Sequence, residues 1–273
     1  MKLFTYGDSW TEGQGVSPLK ESSIETREER KKFRNDRSWP AKLSKLLGVN
    51  HENQSLSGSD NNTIFNQVIV DVKSKKITSG DLVIIMWSSS LRDEVPFFPN
   101  KEWHTWGLNY ISNNHKHNWF IKNDLTNNPT YNGFLIDFKE FFINELYTQD
   151  YYNIVNQNYI LFIQKLCDYY QINYIFCDAF DKMIDNIKQE NNKTHLINKE
   201  CYWGFTIKTF KDFLISTGQK NVWETNNFDI KNVPGMHPSE LGYKIIADEL
   251  FLFLTNNPYI IKHNSETLIK KFL

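Results

Sequence analysis

The sequence predicts an α/β fold in which a parallel sheet lies between two layers of helices. Two short segments, Asp81–Trp87 and Ile172–Ala179, are apolar almost throughout, which is typical of strands covered on both faces. The segments between them place apolar residues at helical spacing. Because strands that alternate with helices form parallel sheets through crossover connections, we expect a three-layer sandwich.

The individual elements follow in chain order. Leu3–Tyr6 is a short apolar run that turns polar at Gly7, as a buried first strand does when it enters a loop. Pro40 near the start and Gly48 at the end predict a helix over Ser38–Leu47. The other expected elements are a weak strand over Val49–Leu56 and helices over Asn61–Lys75, Asn153–Tyr170, Thr206–Leu214 and Ser239–Leu254. With about five strands, the arrangement is flavodoxin-like.

One stretch interrupts this alternation. From about Leu91 to Gly133 the chain carries Pro, Asn, His and Trp without a clean period, over a length that ordinary connections do not reach. We therefore predict an aromatic-rich insertion after the third strand, within residues 91–150. The 273 residues contain no internal repeat and no linker between two cores, so we expect a single domain over residues 1–273 that ends in a tail at 258–273.

Composition restricts the classes of function. Lys plus Arg is 31 and Asp plus Glu is 32, so the chain has no overall field to hold a nucleic acid or an anionic membrane. The densest charge run, Glu21–Arg37, mixes both signs and predicts a solvated helix or loop. Three cysteines without a CxxC pattern argue against a disulfide framework and against a zinc site. The sequence shows no signal-like or membrane-length apolar stretch, so we expect a cytoplasmic protein. We also expect neither a metal nor a cofactor.

Polar loops follow the predicted strands, and in such sheets ligands bind where the strands end. Ser9 follows the first strand on a glycine-turned loop, where a nucleophile would stand. Gly58 follows the second strand and can aim a backbone N–H into the same crevice, while His237 lies just before the last helix. Each also has a structural interpretation: Ser9 as a helix cap, Gly58 as a positive-φ residue and His237 as the flank of a helix. The favoured role of Asn61 is that of a helix cap. The favoured role of Asp8 is a hydrogen bond within the loop.

These blocks resemble the SGNH (GDSL-type) hydrolase superfamily, from Met1 to about Leu254. The family's first block corresponds to Ser9 in G-D-S-W-T-E-G, the second to Gly58 in N-Q-S-L-S-G-S-D-N, and the last to His237 in M-H-P-S-E-L-G-Y. The resemblance implies that Ser9 attacks an ester carbonyl and that His237 acts as general base and then protonates the leaving alcohol. It also implies an oxyanion hole formed by the backbone N–H groups of Ser9 and Gly58 and by a third donor.

The third donor departs from the family pattern. The third strand runs into Ser88-Ser89-Ser90, so that Ser90 takes the position of the family's oxyanion Asn, with Ser88 and Ser89 close by. A serine hydroxyl donates a hydrogen bond but reaches less far than an amide. Because the loss of one oxyanion donor costs about 2.7–4 kcal/mol, either a serine substitutes for the amide or the activity is reduced.

The acid of the family's D-x-x-H pattern is also missing. The position three residues before His237 holds Pro234. Asp229 is the nearest upstream acid, with Glu224 beyond it. The alternative is a backbone carbonyl that orients the imidazole, which would leave a Ser–His dyad.

Aromatic residues make up 15% of a chain whose mean hydropathy is -0.54. Several tryptophans fall close to the predicted crevice: Trp10, Trp87, Trp103 and Trp106 are the predicted substrate-binding residues. A small separate core under the insertion is the structural alternative for the tryptophans beyond the third strand. Indole faces stack on the CH faces of sugars, so aromatic walls would suit a glycan ligand.

The sequence therefore predicts a serine esterase that hydrolyses a small ester through an acyl-enzyme on Ser9. An O-acetyl group on a carbohydrate is the substrate class that we favour, and small-molecule or glycan esters are the expected partners. Two alternatives are a catalytically weakened domain that binds a glycan or a protein, and an O-acyltransferase. The sequence does not select an oligomeric state.

Overall fold

The computed structural model describes residues 1–16, 23–89, 92–97, 102–107, 149–184, 193–223 and 237–261. Its strands are β1 (Leu3–Tyr6), β2 (His51–Asn53), β3 (Leu82–Trp87), β4 (Arg92–Phe97), β5 (Glu102–Gly107) and β6 (Asn173–Asp178). Its α-helices are α1 (Ser9–Glu12), α2 (Arg27–Asn35), α3 (Trp39–Leu47), α4 (Asn61–Lys73), α5 (Gln149–Tyr170), α6 (Phe210–Ser216) and α7 (Glu240–Asn256). Short 3₁₀ turns lie at Thr194–Leu196, Lys199–Cys201, Lys220–Val222 and Pro258–Ile260.

The central sheet is parallel, with strand order β2-β1-β3-β6. This confirms the predicted α/β class, although the described residues contribute four strands to this sheet and not the expected five or so. In register, Tyr6 pairs with Ile85, and Trp87 pairs with Asp178. The carboxyl ends of β1, β3 and β6 therefore meet along one edge, where ligands bind in sheets of this kind.

Helices cover both faces of the sheet. Every residue of β3 and β6 is buried, as a strand between two helical layers requires. Helix α3 packs against α7, and α4 packs against α5. The chain steps from β1 to β2 and then back across β1 to β3. Because crossovers between parallel strands are right-handed, this reversal sends successive helices to opposite faces.

Local signals explain where the predicted helices begin and end. Pro40 lies in the first turn of α3, and Gly48 ends that helix in a left-handed conformation with φ 65°. The side chain of Asp60 caps α4 by accepting a hydrogen bond from the backbone N–H of Thr63 at 2.7 Å. Ser239 caps α7 in the same way, with the N–H of Gly242 at 3.2 Å.

Some element boundaries differ from those predicted. Helix α2 forms in the mixed charge run because Thr26 caps it and accepts a hydrogen bond from the N–H of Glu29. Strand β2 has only three residues, fewer than the predicted Val49–Leu56, because the chain leaves the sheet after Gln54, whose N–H still donates to the backbone oxygen of Thr5 at 2.9 Å, and forms the loop that carries Gly58. The predicted helix over Thr206–Leu214 begins only at Phe210, because Thr209 and Asp212 form a capping box there.

The predicted insertion contains an antiparallel ribbon of β4 and β5. The remainder of 91–148 lies outside the described residues, as does the tail from residue 262, so the domain division and both segments stay predictions. At the start of the tail, Ile260 and Ile261 are buried against the core. In the portion of the chain that the structure describes, no helix has both the length and the hydrophobicity needed to cross a bilayer.

Candidate active site

The turn between β1 and α1 is tight because Gly7 has no side chain. A Cβ at this position would lie 2.2 Å from Oγ1 of Thr11 and 2.9 Å from the backbone oxygen of Met86. Both neighbours are buried, so neither can give way. The absence of a Cβ at Gly7 lets the start of α1 pack directly against β3.

Asp8 fixes the first turn of α1. Its carboxylate accepts a hydrogen bond from the backbone N–H of Trp10 at 3.0 Å, as an N-cap residue does. The predicted loop role of Asp8 thus takes the form of a cap, and Ser9, for which a cap was the structural alternative, is the first helical residue. The Ser9 side chain is nearly buried, at 4% exposure of the residue.

His237 lies next to Ser9. Its Nε2 atom is 3.0 Å from Oγ of Ser9, a hydrogen-bond distance, and the imidazole is half-buried. The residues that follow His237 are anchored to the chain at 221–223. Pro238 forms a β-bridge with Trp223, and the N–H of Ser239 donates to the backbone oxygen of Val222 at 2.8 Å. The imidazole is therefore held at the start of α7.

Gly58 occupies a loop that is attached to the Ser9 loop. Its φ is +90°, and a Cβ there would meet nothing within 4 Å. Glycine is thus required by the backbone conformation and not by crowding. The N–H of Leu56 donates to the backbone oxygen of Gly7 at 3.3 Å, and the N–H of Ser59 donates to the backbone oxygen of Leu56 at 3.1 Å. The first bond holds the loop beside the turn that carries Ser9, and the second closes the loop around Gly58.

The hydroxyl groups of Ser88 and Ser89 are engaged by carboxylates. Oγ of Ser88 donates to Oδ2 of Asp8 at 2.8 Å, and Oγ of Ser89 donates to Oδ2 of Asp181 at 2.5 Å. Each hydroxyl has a single proton, so in this arrangement neither hydroxyl is available to an oxyanion. Ser90 lies outside the described residues, and its donor role stays a prediction.

Asn61 has a different role from the predicted helix cap, which belongs to Asp60. The amide oxygen of Asn61 accepts a hydrogen bond from the N–H of Ser88 at 2.9 Å, and its amide nitrogen donates to the backbone oxygen of Ser89 at 3.2 Å. The buried side chain of Asn61 therefore fixes the backbone at the end of β3. A polar residue one position after a cap carries no periodic signal, so this role could not be found from the sequence.

The two tryptophans of the predicted crevice whose side chains are described lie in the core. Trp10 is 2% exposed and packs edge-on against Phe180 and Trp223, with ring centroids 5.2 and 5.9 Å away. Trp87 is fully buried beside Phe176. The expectation that Trp10 and Trp87 present their faces to a substrate finds no support, because each ring is enclosed by other side chains.

Three further predicted residues have no described side chain. Trp103 and Trp106 belong to β5, of which the structure describes the backbone pairing alone. Asp229, like Glu224, lies outside the described residues. The roles predicted for them remain predictions.

Asp178 is a buried acid at the same edge that the sequence analysis did not single out. Burial raises its pKa to about 7, against the opposing effect of a hydrogen bond from the Tyr202 hydroxyl at 2.7 Å. The backbone N–H of Met183 also donates to this carboxyl, at 3.3 Å. An acid at the end of an apolar strand is a visible signal, and it could have drawn attention to this position.

Within the ranges that the structure describes, no group of three or more His, Cys, Asp or Glu side chains could hold a metal ion. Ser9 and His237 supply a hydroxyl and a base within hydrogen-bond reach of each other. That pair can carry out nucleophilic catalysis at a carbonyl carbon.

No protein-family model matches the chain, and no curated protein matches it. Among solved structures, the chain is similar to a protein described as a lipolytic member of the G-D-S-L family from Desulfitobacterium hafniense DCB-2, with 13% identity and a TM-score of 0.45 over 93% of this chain and 99% of that one. It is similar to the acetyl xylan esterase AlAXEase, with 13% identity and a TM-score of 0.44 over 92% and 98% of the two chains. A carbohydrate esterase with divergent catalytic and non-catalytic binding functions has 14% identity and a TM-score of 0.43, over 95% of this chain and 70% of that chain. The likeness is distant, so the chemistry assigned below rests on Ser9 and His237 of this chain.

Proposed function

We propose that the protein is a serine hydrolase of the SGNH type that cleaves a small carboxylic ester. The observation that carries this proposal is the 3.0 Å contact between Oγ of Ser9 and Nε2 of His237. A serine hydroxyl is a weak nucleophile unless an adjacent base accepts its proton. The contact supports the proposal because 3.0 Å is within the usual reach of a proton transfer.

The reaction proceeds in two balanced halves. Oγ of Ser9 forms a bond to the ester carbonyl carbon while its proton passes to Nε2 of His237. The tetrahedral intermediate then expels the alcohol, which takes that proton, and leaves an acyl group on Ser9. A water molecule attacks the acyl-enzyme with His237 again as base, and the acid product and the free Ser9 hydroxyl are released.

Backbone N–H groups would hold the negative charge of each intermediate. The N–H of Ser9 belongs to the first turn of α1, where backbone donors have no partner within the helix. Gly58 stands on a loop bonded to the same turn. With the hydroxyls of Ser88 and Ser89 engaged elsewhere, these two N–H groups are the principal donors that we propose, with Ser90 as the third.

The test is hydrolysis of p-nitrophenyl acetate by the wild-type protein and by Ser9→Ala. We expect Ser9→Ala to reduce the rate to that of the buffer. Ser216→Ala is the matched control, because that hydroxyl bonds to the backbone of α6 far from Ser9 in the chain, and it should keep the wild-type rate. Equal rates for the wild type and Ser9→Ala, or no rate above buffer for either, would contradict the proposal.

We propose an O-acetyl group on a carbohydrate as the substrate class. The near-complete burial of Ser9 favours a small acyl group. The indole rings of Trp103 and Trp106 are the groups that we propose for stacking on the sugar. Acetate release from an acetylated oligosaccharide should exceed the release of longer acids from matched esters. Trp103→Ala and Trp106→Ala should raise the KM for the oligosaccharide and leave that for p-nitrophenyl acetate unchanged.

A second candidate is a binding domain with little activity. The engagement of Ser88 and Ser89 favours it, because an oxyanion hole short of one donor loses about 10²–10³ in kcat. Saturable binding of an acetylated oligosaccharide by both the wild type and Ser9→Ala, without acetate release by either, would select this candidate over the esterase.

A further inference from the structure

Glu12 is a buried carboxylate three residues after Ser9, at the end of α1. Its residue exposure is 6%, and a buried charge is costly unless it is paired and hydrogen-bonded. Both requirements are met here. Oε1 lies 3.1 Å from Nη1 of Arg34, and Oε2 accepts a hydrogen bond of 2.6 Å from the backbone N–H of Ser57.

The second of these contacts reaches the loop of the proposed oxyanion hole. Ser57 is the residue immediately before Gly58, and the N–H of Ser59 on the other side is bonded to the backbone oxygen of Leu56. Gly58 itself has open space where a Cβ would stand. The peptide that carries the Gly58 N–H is thus held through its neighbours, and the strongest tie to α1 is the Glu12 carboxylate.

The first and last residues of α1 are therefore both connected to the proposed reaction. The first residue is the nucleophile, and the last holds the loop that would stabilise the charge formed when that nucleophile attacks. Catalysis is sensitive to this kind of placement, since a displacement of about 1 Å can cost about 10²-fold in rate. The guanidinium of Arg34 balances the Glu12 charge, so that the carboxylate does not oppose an anion forming nearby.

We propose that Glu12 is a positioning residue for the oxyanion hole, which it serves by fixing the Ser57–Gly58 peptide relative to Ser9. The inference rests on the proposed esterase function and assigns a role within the same site. The two carboxylate oxygens of Glu12 are taken up by Arg34 and by the N–H of Ser57, so we assign Glu12 no contact with the reacting atoms. Its action is through the backbone of Ser57, with Arg34 as the charge partner that keeps it in place.

Amide substitutions separate the hydrogen bond from the ion pair. In Glu12→Gln, the one carbonyl oxygen can accept from Ser57 or from Arg34, and the amide NH₂ group then faces the other donor. We expect kcat/KM for p-nitrophenyl acetate to fall about 10-fold to 100-fold, less than the roughly 10²-fold to 10³-fold cost of losing one donor completely, because the donor is displaced and not removed. In the double variant Glu12→Gln/Arg34→Gln, the guanidinium that competes for the amide oxygen at position 12 is gone, so that oxygen can accept from the N–H of Ser57, and most of the activity should return.

A second readout distinguishes positioning from loss of fold. A small alkyl boronic acid forms a tetrahedral adduct with a serine nucleophile. In Glu12→Gln its inhibition constant should therefore rise by the same factor by which kcat falls, while KM changes little. Asp71→Asn is the control, because Asp71 is an equally buried carboxylate that pairs with Lys76 at 3.5 Å and with the Tyr6 hydroxyl at 2.7 Å. It should lower the melting temperature and leave kcat and boronate inhibition unchanged.

The outcomes are decisive in each direction. If Ser9→Ala abolishes hydrolysis but Glu12→Gln keeps the wild-type kcat and boronate affinity, the role of Glu12 is refuted and the esterase stands. If Glu12→Gln loses activity only in proportion to its folded fraction, as titrated by a covalent serine reagent, or if the double variant fails to recover, the role is also refuted. If Ser9→Ala remains active, the proposed function fails first.

Discussion

Oγ of Ser9 and Nε2 of His237 lie 3.0 Å apart, although 228 positions separate the two residues in the chain. The first stands at the start of α1, which follows β1, and the second precedes α7. The parallel sheet brings these distant segments to one edge. The reactivity of Ser9 should therefore depend on a base from the other end of the fold.

Removal of the imidazole tests this dependence. His237→Ala should lower kcat for p-nitrophenyl acetate about 10²-fold to 10⁴-fold, the usual contribution of a positioned general base. The thermal midpoint should change little, because the imidazole is half-buried. His195→Ala, an exposed histidine in a 3₁₀ turn, should keep full activity. A His237→Ala protein with the wild-type kcat would exclude His237 as the base.

Gly58 and Gly218 allow the oxyanion loop to be tested against a matched glycine. Both have positive φ, +90° and +67°, and neither would crowd a Cβ. Alanine at either position should therefore lower the free energy of unfolding by a similar amount, about 1–2 kcal/mol. Only Gly58→Ala should also lower kcat, by about 10-fold or more, because the strained loop shifts the N–H that we propose as an oxyanion donor. Equal kcat values for the two variants would remove Gly58 from the proposed site.

Gly7→Ala should damage the fold more than Gly58→Ala does. The added Cβ would overlap Oγ1 of Thr11 and approach the backbone oxygen of Met86. Overpacking of this kind costs about 1–3 kcal/mol, and here it displaces the turn that carries Ser9. Urea unfolding should show a lower midpoint, accompanied by a loss of activity per folded molecule. A midpoint no lower than that of Gly58→Ala would show that the turn can relax around a side chain.

The buried acid Asp178 should make stability fall as the pH rises. Burial raises its pKa to about 7, whereas an Asp in the unfolded chain titrates near about 3.9. Between these values the folded protein keeps a proton that the unfolded chain has released, so the free energy of unfolding should decrease by up to about 1.4 kcal/mol per pH unit and level off above pH 7 or so.

Urea unfolding of Asp178→Asn across this pH window is the measurement. The amide does not titrate, so the part of the slope due to Asp178 should vanish, while the bond from Tyr202 can be kept by the amide oxygen. Asp248→Asn, which alters a partly exposed carboxylate paired with Lys244, should retain the wild-type slope. An unchanged slope in Asp178→Asn would mean that another group carries the proton.

The elements of the fold that were predictable are those with local causes. The runs at Asp81–Trp87 and Ile172–Ala179 became β3 and β6, trimmed by one residue or two, because continuous apolar sequence suits a strand buried on both faces. The helix over Ser38–Leu47 formed as predicted because Pro40 and Gly48 act within a single turn of the chain. The short β2 was overestimated because its length is set by pairing with β1 and not by its own composition.

The sequence by itself determined which residues are candidates for the proposed site: Ser9 and Gly58 lie in loops that follow a strand, and His237 lies just before a helix. The tertiary structure decided which donors and acceptors of these loops are hydrogen-bonded to each other. It assigned the hydroxyl of Ser88 to Asp8, 80 positions away, and the N–H of Ser57 to Glu12, 45 positions away. Periodicity and capping act over a few residues, whereas a buried hydrogen bond is chosen by whichever donors and acceptors the packed sheet brings within about 3 Å of each other.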